Sequence, residues 1–289
     1  MKSKQRIVTK AVIPVAGQGT RMGPICRAIP KAMFPLVDSR GRLRPMIHHI
    51  CMEASAAGID RVALVVSGRI IDMFHRYFTA ASETSAAELP VNIDFITQPS
   101  PRGLGDAVEQ AKNFVGSDPF LLLLGDHVYV ADSTARPCAA QVVDAFAEHR
   151  GAAMVGMQAV DAEAVSTVGV ARGRRVAEGI YVCEELMEKP DPSVAARQLV
   201  TPGLEEGRFL AHGGIYVLTP EIFGCLQELR RAYRAAGEEL ELTDAQGILR
   251  RRDPEAYRLV HVAGRCLDAG SPAGYAEACD AIRRAPCHS

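Results

Sequence analysis

The stretch AVIPVAGQGTRMGPICRAIPKAMFPLVD, Ala11 to Asp38, constrains this chain more than any other: an apolar run leads straight into a glycine loop and then to two spaced cations. Ala11 to Ala16 reads as a buried strand, and a strand that empties into glycines opens a βα unit. At Gly17 and Gly19 the missing β-carbons let backbone N–H groups approach phosphate oxygens, with Thr20 in the same loop. Arg21 and, ten residues on, Lys31 add positive charge. The combination suits a nucleoside triphosphate. Two better-known glycine loops do not fit. A P-loop beginning at Gly17 needs its second glycine where Met22 stands, and a dinucleotide fingerprint needs its third glycine at the same place.

A chain of 289 residues buries a large core. Its net charge of −1 is dispersed, so no basic field points to nucleic acid, and no apolar run is long enough to span a bilayer. The basic start MKSKQRIVTK runs into a strand and not into a signal-peptide core, so a cytoplasmic location is expected. The eight cysteines are scattered singly with no C-x-x-C pair, which suggests reduced, packed thiols.

In the first half, strand-like runs at Ala11–Ala16, Val62–Ser67, Ile93–Thr97 and Phe120–Gly125 alternate with helical patterns at Met46–Ala57, Ile70–Ala80 and Leu104–Val115. Such alternation predicts a parallel sheet covered on both faces. After Gly151 come strands at Ala152–Ala159, Val168–Ala171 and Arg175–Cys183, with Gly173 as a hairpin turn, and then Phe209–Leu218. Thr243 to Gln246 has the spacing of a capping box opening a helix to Arg252, and a last helix spans Pro272 to Arg284. Asp126 follows four leucines and a glycine, which places a carboxylate at the C-terminal edge of the sheet, where open α/β folds bind ligands. The arginines at 230, 231 and 250 to 252 read as helix faces in water.

The string Gly17 to Pro24, with Ala28 to Asp38, resembles the signature of the sugar-phosphate nucleotidyltransferases, and most closely that of the bacterial UTP:glucose-1-phosphate uridylyltransferases. The likeness continues through Gln98, Gly103 to Val108, Leu124 to Asp126, Val168 to Val170, Glu188 to Pro190, Gly214 to Leu218, Leu242 to Ala245 and Leu267 to Gly270. It implies a three-layer α/β/α Rossmann-like fold with a mainly parallel mixed sheet. The whole of 1–289 would be one domain, nucleotide-binding to about residue 150 and sugar-binding beyond. It implies Mg²⁺-dependent transfer of a nucleotidyl group to a sugar 1-phosphate with release of pyrophosphate. By the same resemblance, Gly17, Gly19, Thr20, Arg21, Lys31, Gln98 and Gly103 bind the nucleotide, while Gly169, Glu188, Lys189 and Gly214 bind the sugar. Arg21, Lys31, Asp126 and Lys189 would be catalytic, and Asp126 with Asp268 would hold the metal. Neighbouring strand residues point to opposite faces, so Glu188 and Lys189 share one ligand only if the strand breaks there, as Pro190 suggests.

UTP with glucose 1-phosphate is the leading pair. Thymidylyl or other nucleotidyl transfer on the same scaffold is the alternative, as is a silent nucleotide-sugar regulator, with a dehydrogenase remote. A homo-oligomer is suggested by analogy alone. The sequence departs from the uridylyltransferase pattern at Ala32, where an acidic residue is usual, and in the basic segment Ser39 to Arg44. Gly125-Asp126-His127 is more like the ADP-glucose pyrophosphorylase form, with His127 read as packed or solvent-facing, and Ala80 to Pro90 is short.

Overall fold

The computed structural model describes residues 8–85, 91–233 and 239–285. The first half builds β1 (Lys10–Pro14), β2 (Pro35–Val37), β3 (Leu43–Pro45), α1 (Met46–Ala56), β4 (Arg61–Ser67), α2 (Ile71–Ser85), β5 (Asn92–Gln98), α3 (Leu104–Gln110), α4 (Lys112–Val115), β6 (Phe120–Leu123), β7 (His127–Ala131) and α5 (Cys138–His149). The second adds β8 (Ala153–Asp161), β9 (Gly169–Ala177), β10 (Ile180–Glu188), α6 (Pro192–Gln198), β11 (Arg208–Leu218), α7 (Glu221–Tyr233), α8 (Leu242–Arg252), β12 (Tyr257–His261), β13 (Gly264–Asp268) and α9 (Pro272–Arg284).

A nine-stranded mixed sheet, in the order β5-β4-β1-β6-β11-β8-β12-β10-β9, forms the middle layer. Its β5-β4-β1-β6 part is parallel, as βα alternation requires. Successive side chains on β6 part to opposite faces: Leu121 and Leu123 join α1, α2, α5 and α9, whereas Phe120 and Leu122 join α3, α7 and α8. Helices therefore cover both faces, and the three layers expected from the sequence are present. Among the described residues, no helix is long and apolar enough to cross a membrane.

Several local expectations are corrected. Gly173 is not a turn. It lies inside β9 opposite Cys183, and a β-carbon there would fall 2.6 Å from the Tyr181 β-carbon, so the glycine serves a close approach between strands. The hairpin turns instead at Glu178-Gly179, where Gly179 has φ +65°. The pattern at Leu104–Val115 is two helices meeting at Ala111, and the strand begun at Phe120 ends at Leu123. Thr243 does not cap α8, which starts one residue earlier. Leu242 is buried there, and the adjacent Leu240 is tied by backbone bonds to Arg102 and Gly105, so packing sets the helix start. In the basic segment Ser39 to Arg44, which closes the β2–β3 hairpin, Arg40 is exposed but two charges turn inward: Arg42 Nε donates to Asp38 at 2.7 Å, and Arg44 is buried. Arg230 is half-buried and ion-paired, not merely solvated. The seven described cysteines are free thiols, five of them buried, while Cys287 and residues 86–90 of the short Ala80–Pro90 segment lie outside the described residues.

One part-buried carboxylate should leave a pH signature. Glu53 on α1 accepts the Ala139 N–H at 2.7 Å, tying α1 to the first turn of α5. Burial pushes its carboxyl up from 4.5 to about 7, against the pull of that N–H. Between those values the folded chain binds more proton than the unfolded chain, so this group's contribution to stability falls as pH rises through the window and is level above it. Glu53→Gln keeps the acceptor and removes the slope. Thermal melts should show the variant matching wild type near pH 4 and exceeding it at pH 8, by on the order of 2–3 kcal/mol.

Candidate active site

The glycine loop leaves β1 and turns through Gly19, which sits in the left-handed region at φ +63°. The loop carries Arg21 and Lys31 in short 3₁₀ turns and brings both cations to the far edge of β6. There the chain makes a turn, with His127 N donating to Leu124 O, and Asp126 emerges. Asp268, 142 positions later in the sequence, reaches the same place because β13 pairs antiparallel with β7 in a register that sets Asp268 opposite His127. Ala269 N then donates to Asp126 O at 2.8 Å, closing the backbone around the two acids.

The side chains form one ionic cluster. Lys31 Nζ bonds Asp126 Oδ2, and Arg21 Nη2 lies 3.7 Å from the same oxygen. Arg21 also grips Asp268 with both terminal nitrogens, at 2.8 and 3.3 Å, a bidentate contact that raises the guanidinium pKa. His127 Nδ1 stands 3.1 Å from Asp126 Oδ1. Burial opposes ionisation of Asp126, yet His127 and Lys31 hold its carboxyl far below the ordinary carboxylate range. Asp126, His127 and Asp268 each offer a ligand atom within 4.8 Å of the others. Two hard carboxylates near one point fit a divalent cation such as Mg²⁺, which takes oxygen ligands and few of them from protein.

This cluster stands between two cavities. One, of about 500 Å³, is lined by Gly17, Gly19, Thr20, Lys31, Gln98, Gly103 and Asp126. Every residue expected to bind nucleotide lines it except Arg21, which lies at its rim through the ion pairs just described. The other, of about 1140 Å³, is lined by His127, Val168, His212 and Asp268 among others. Next to its lining residue Val168, Gly169 pairs with Glu188 across the β9–β10 ladder. Lys189 breaks the strand with φ +47°, which lets its Nζ turn to 3.8 Å from Glu188 Oε1. Gly214 lies against the His127 ring. None of the four residues expected to bind sugar is itself among those lining the second cavity, and among the described residues Glu188 and Lys189 make no ion pair with the aspartate cluster.

Some residues of the site gave little sign in the sequence. His212 follows no motif, yet burial lowers its pKa to about 4, so its imidazole is neutral at pH 7, and its Nε2 is buried without a partner among the described residues. Asp106 belongs to the Gly103 to Val108 string, but nothing there indicates that it is fully buried and ion-paired to Arg102 and Arg230.

Comparison with known proteins agrees with this geometry. A family model described as nucleotidyl transferase matches residues 10–284. A protein of Streptococcus pyogenes serotype M1 named UTP–glucose-1-phosphate uridylyltransferase 1 is 35% identical, covering 93% of this chain and 86% of its own. A crystal structure of a UDP-glucose pyrophosphorylase complexed with UDP-glucose superposes with a TM-score of 0.76 at 27% identity, over 95% of this chain and 98% of the other. A UTP-bound UGPase from Acinetobacter baumannii does so with a TM-score of 0.71 at 26% identity, over 94% and 92%. Matched along nearly its whole length, the chain is a nucleotidyltransferase enzyme and belongs to the nucleotidyl transferase family.

Proposed function

We propose that the protein transfers the uridylyl group of UTP to glucose 1-phosphate, forming UDP-glucose and pyrophosphate with Mg²⁺ as cofactor. The observation that carries this reading is the cluster of Asp126, Asp268, Lys31 and Arg21 standing between two cavities, in a chain 35% identical to a named uridylyltransferase. UTP takes the smaller cavity, with its triphosphate on Gly17, Gly19 and Thr20. The sugar phosphate takes the larger, with Glu188 toward sugar hydroxyls, Lys189 toward the phosphate, and the Gly169 and Gly214 backbone against the ring.

A phosphate monoester with its second pKa near 6 is already largely dianionic at neutral pH, so the nucleophile needs no general base. One of its oxygens bonds to the α-phosphorus of UTP while the bond from that phosphorus to the β-phosphate oxygen breaks, and the electron pair leaves on pyrophosphate. The protein's task is to hold two anions in line and neutralise them. Asp126 and Asp268 would hold Mg²⁺, which when bound supplies positive charge at the α-phosphate and at the leaving group. Lys31 and Arg21 lie on those same carboxylates, within reach of the triphosphate, where Lys31 neutralises and Arg21 forks onto adjacent oxygens.

Pyrophosphate release with Mg²⁺ tests the reading, using UTP, dTTP, CTP, ATP and GTP against the 1-phosphates of glucose, galactose, mannose and N-acetylglucosamine. UTP with glucose 1-phosphate should give the highest kcat/KM, about a hundredfold above the pairs with CTP, ATP and GTP. A different dominant pair moves the specificity and keeps the reaction. No turnover with any pair, while nucleotide still binds, sinks the assignment.

A further inference from the structure

The geometry points to Asp106 as a positioning residue that sets base choice: clamped by two arginines, it fixes the Gln98 amide so that only an acceptor faces the nucleotide cavity. This rests on the proposed reading of that cavity as the site of the nucleotide. Asp106 is fully buried at the first turn of α3. Its Oδ1 takes Arg102 Nη2 at 3.0 Å and Arg230 Nη2 at 2.7 Å, and Arg230 is itself anchored to Glu109. Burial opposes ionisation, but the Gln98 amide and the two guanidinium groups together hold the carboxyl ionised, with its pKa lowered. The other oxygen, Oδ2, takes Gln98 Nε2 at 2.7 Å.

A carboxylate accepts and never donates, so the nitrogen of the Gln98 amide must be the atom that faces Asp106. The second Nε2 hydrogen points to Gly103 O at 3.4 Å, so both side-chain bonds that Gln98 makes among the described residues come from nitrogen. Oε1 is left for the cavity that Gln98 lines. An acceptor held there matches the N3–H of uracil or thymine. Cytosine presents a bare N3 acceptor at the same position, and its base cannot slide to recover a bond while its triphosphate is fixed on the glycine loop. Asp106 touches no substrate; it acts by denying Gln98 its flipped orientation.

Asp106→Asn tests this, because an asparagine can accept from Gln98 or donate to it and so permits the flip. Equilibrium binding of UTP, dTTP and CTP is measured by calorimetry without sugar phosphate, beside kcat/KM for UTP and CTP and a thermal melt. Wild type should bind UTP and dTTP about a hundredfold more tightly than CTP, the cost of leaving a buried acceptor unmet. In Asp106→Asn that ratio should fall to about tenfold or less, mainly by a gain for CTP. A purely structural role would lower the melting temperature and weaken every nucleotide alike, leaving the ratio unchanged. Should Asp106→Asn fail to fold, Asp106→Ser takes its place, because a hydroxyl can also accept from Gln98 or donate to it, and the ratio should fall there as well. Equal wild-type affinity for UTP and CTP overturns the clamp alone, as does a full ratio in a folded variant. A protein that binds no triphosphate overturns the functional reading with it.

Discussion

Asp126→Asn should lower turnover by about three orders of magnitude while changing UTP affinity by no more than about tenfold, the scale on which metal-held charge contributes to such steps. The variant is nearly isosteric, so the turn after β6 survives, and what it removes is the charge. That charge is the common partner of Lys31 and His127 and lies 3.7 Å from Arg21. Without it the proposed metal site keeps one carboxylate, and Lys31 is left half-buried beside a neutral amide. On the proposed reading, triphosphate binding rests mainly on the glycine loop and on cations that the substitution does not touch. Stability should fall as well. The folded pKa of Asp126 is depressed, so its ionised form contributes stability at neutral pH that is lost as pH falls toward that value, and an asparagine has none of this to lose. Wild type and variant should therefore differ more in melting temperature at pH 7 than in strong acid. Rapid quench with radiolabelled UTP reads the chemical step, and calorimetry reads the binding. A variant that turns over at near-normal rate would remove Asp126 from the metal site.

What the sequence made legible follows from how local each signal is. The β1 strand, the glycine loop and Lys31 lie within one short segment, and their roles rest on the chemistry of adjacent residues, so the smaller cavity forms where the motif placed it. Asp126 could be placed because a run of leucines ending in glycine and aspartate describes a strand edge without reference to anything distant. Gly173 misled because a glycine between two strand-like runs fits a turn as well as a close crossing, and only the Tyr181 side chain on the partner strand separates them. Arg230 was illegible for a similar reason: in sequence it is one of two arginines on a helix, and its meaning depends on α7 packing against α3, where it joins Arg102 on the buried Asp106. Charges buried by tertiary packing carry no local mark. The pairing of β13 with β7 is equally non-local, which is why resemblance brought Asp268 to Asp126 before any spacing argument could.

The loop after β13 separates function from fold by a pair of glycine substitutions. Gly270 donates its N–H to Asp268 Oδ1 at 2.8 Å, and a β-carbon on it would lie 2.4 Å from Arg21 Nη2, 2.7 Å from Asp268 Oδ1 and 3.0 Å from Asp126 Oδ2. These atoms end side chains, and Arg21, more than half exposed, has room to swing away. Gly270→Ala should therefore keep the fold, with a melting temperature within about two degrees of wild type, the shift expected of a few tenths of a kcal/mol. Its methyl group occupies the space between the two carboxylates and the guanidinium, so kcat/KM should drop by about a hundredfold or more, the cost of misplacing reacting groups by an ångström. Gly274, four residues on, offers the contrast. Its β-carbon would meet the Asp268 carbonyl oxygen at 2.0 Å, and that backbone is held by the β13–β7 ladder and by Ala269 N on Asp126 O. No side chain can yield there. Gly274→Ala should lose stability by about 1–3 kcal/mol, and its activity at low temperature should follow the folded fraction. If Gly270→Ala instead proved fully active, the space between Asp126, Asp268 and Arg21 would not be where the reacting phosphates and their cation meet.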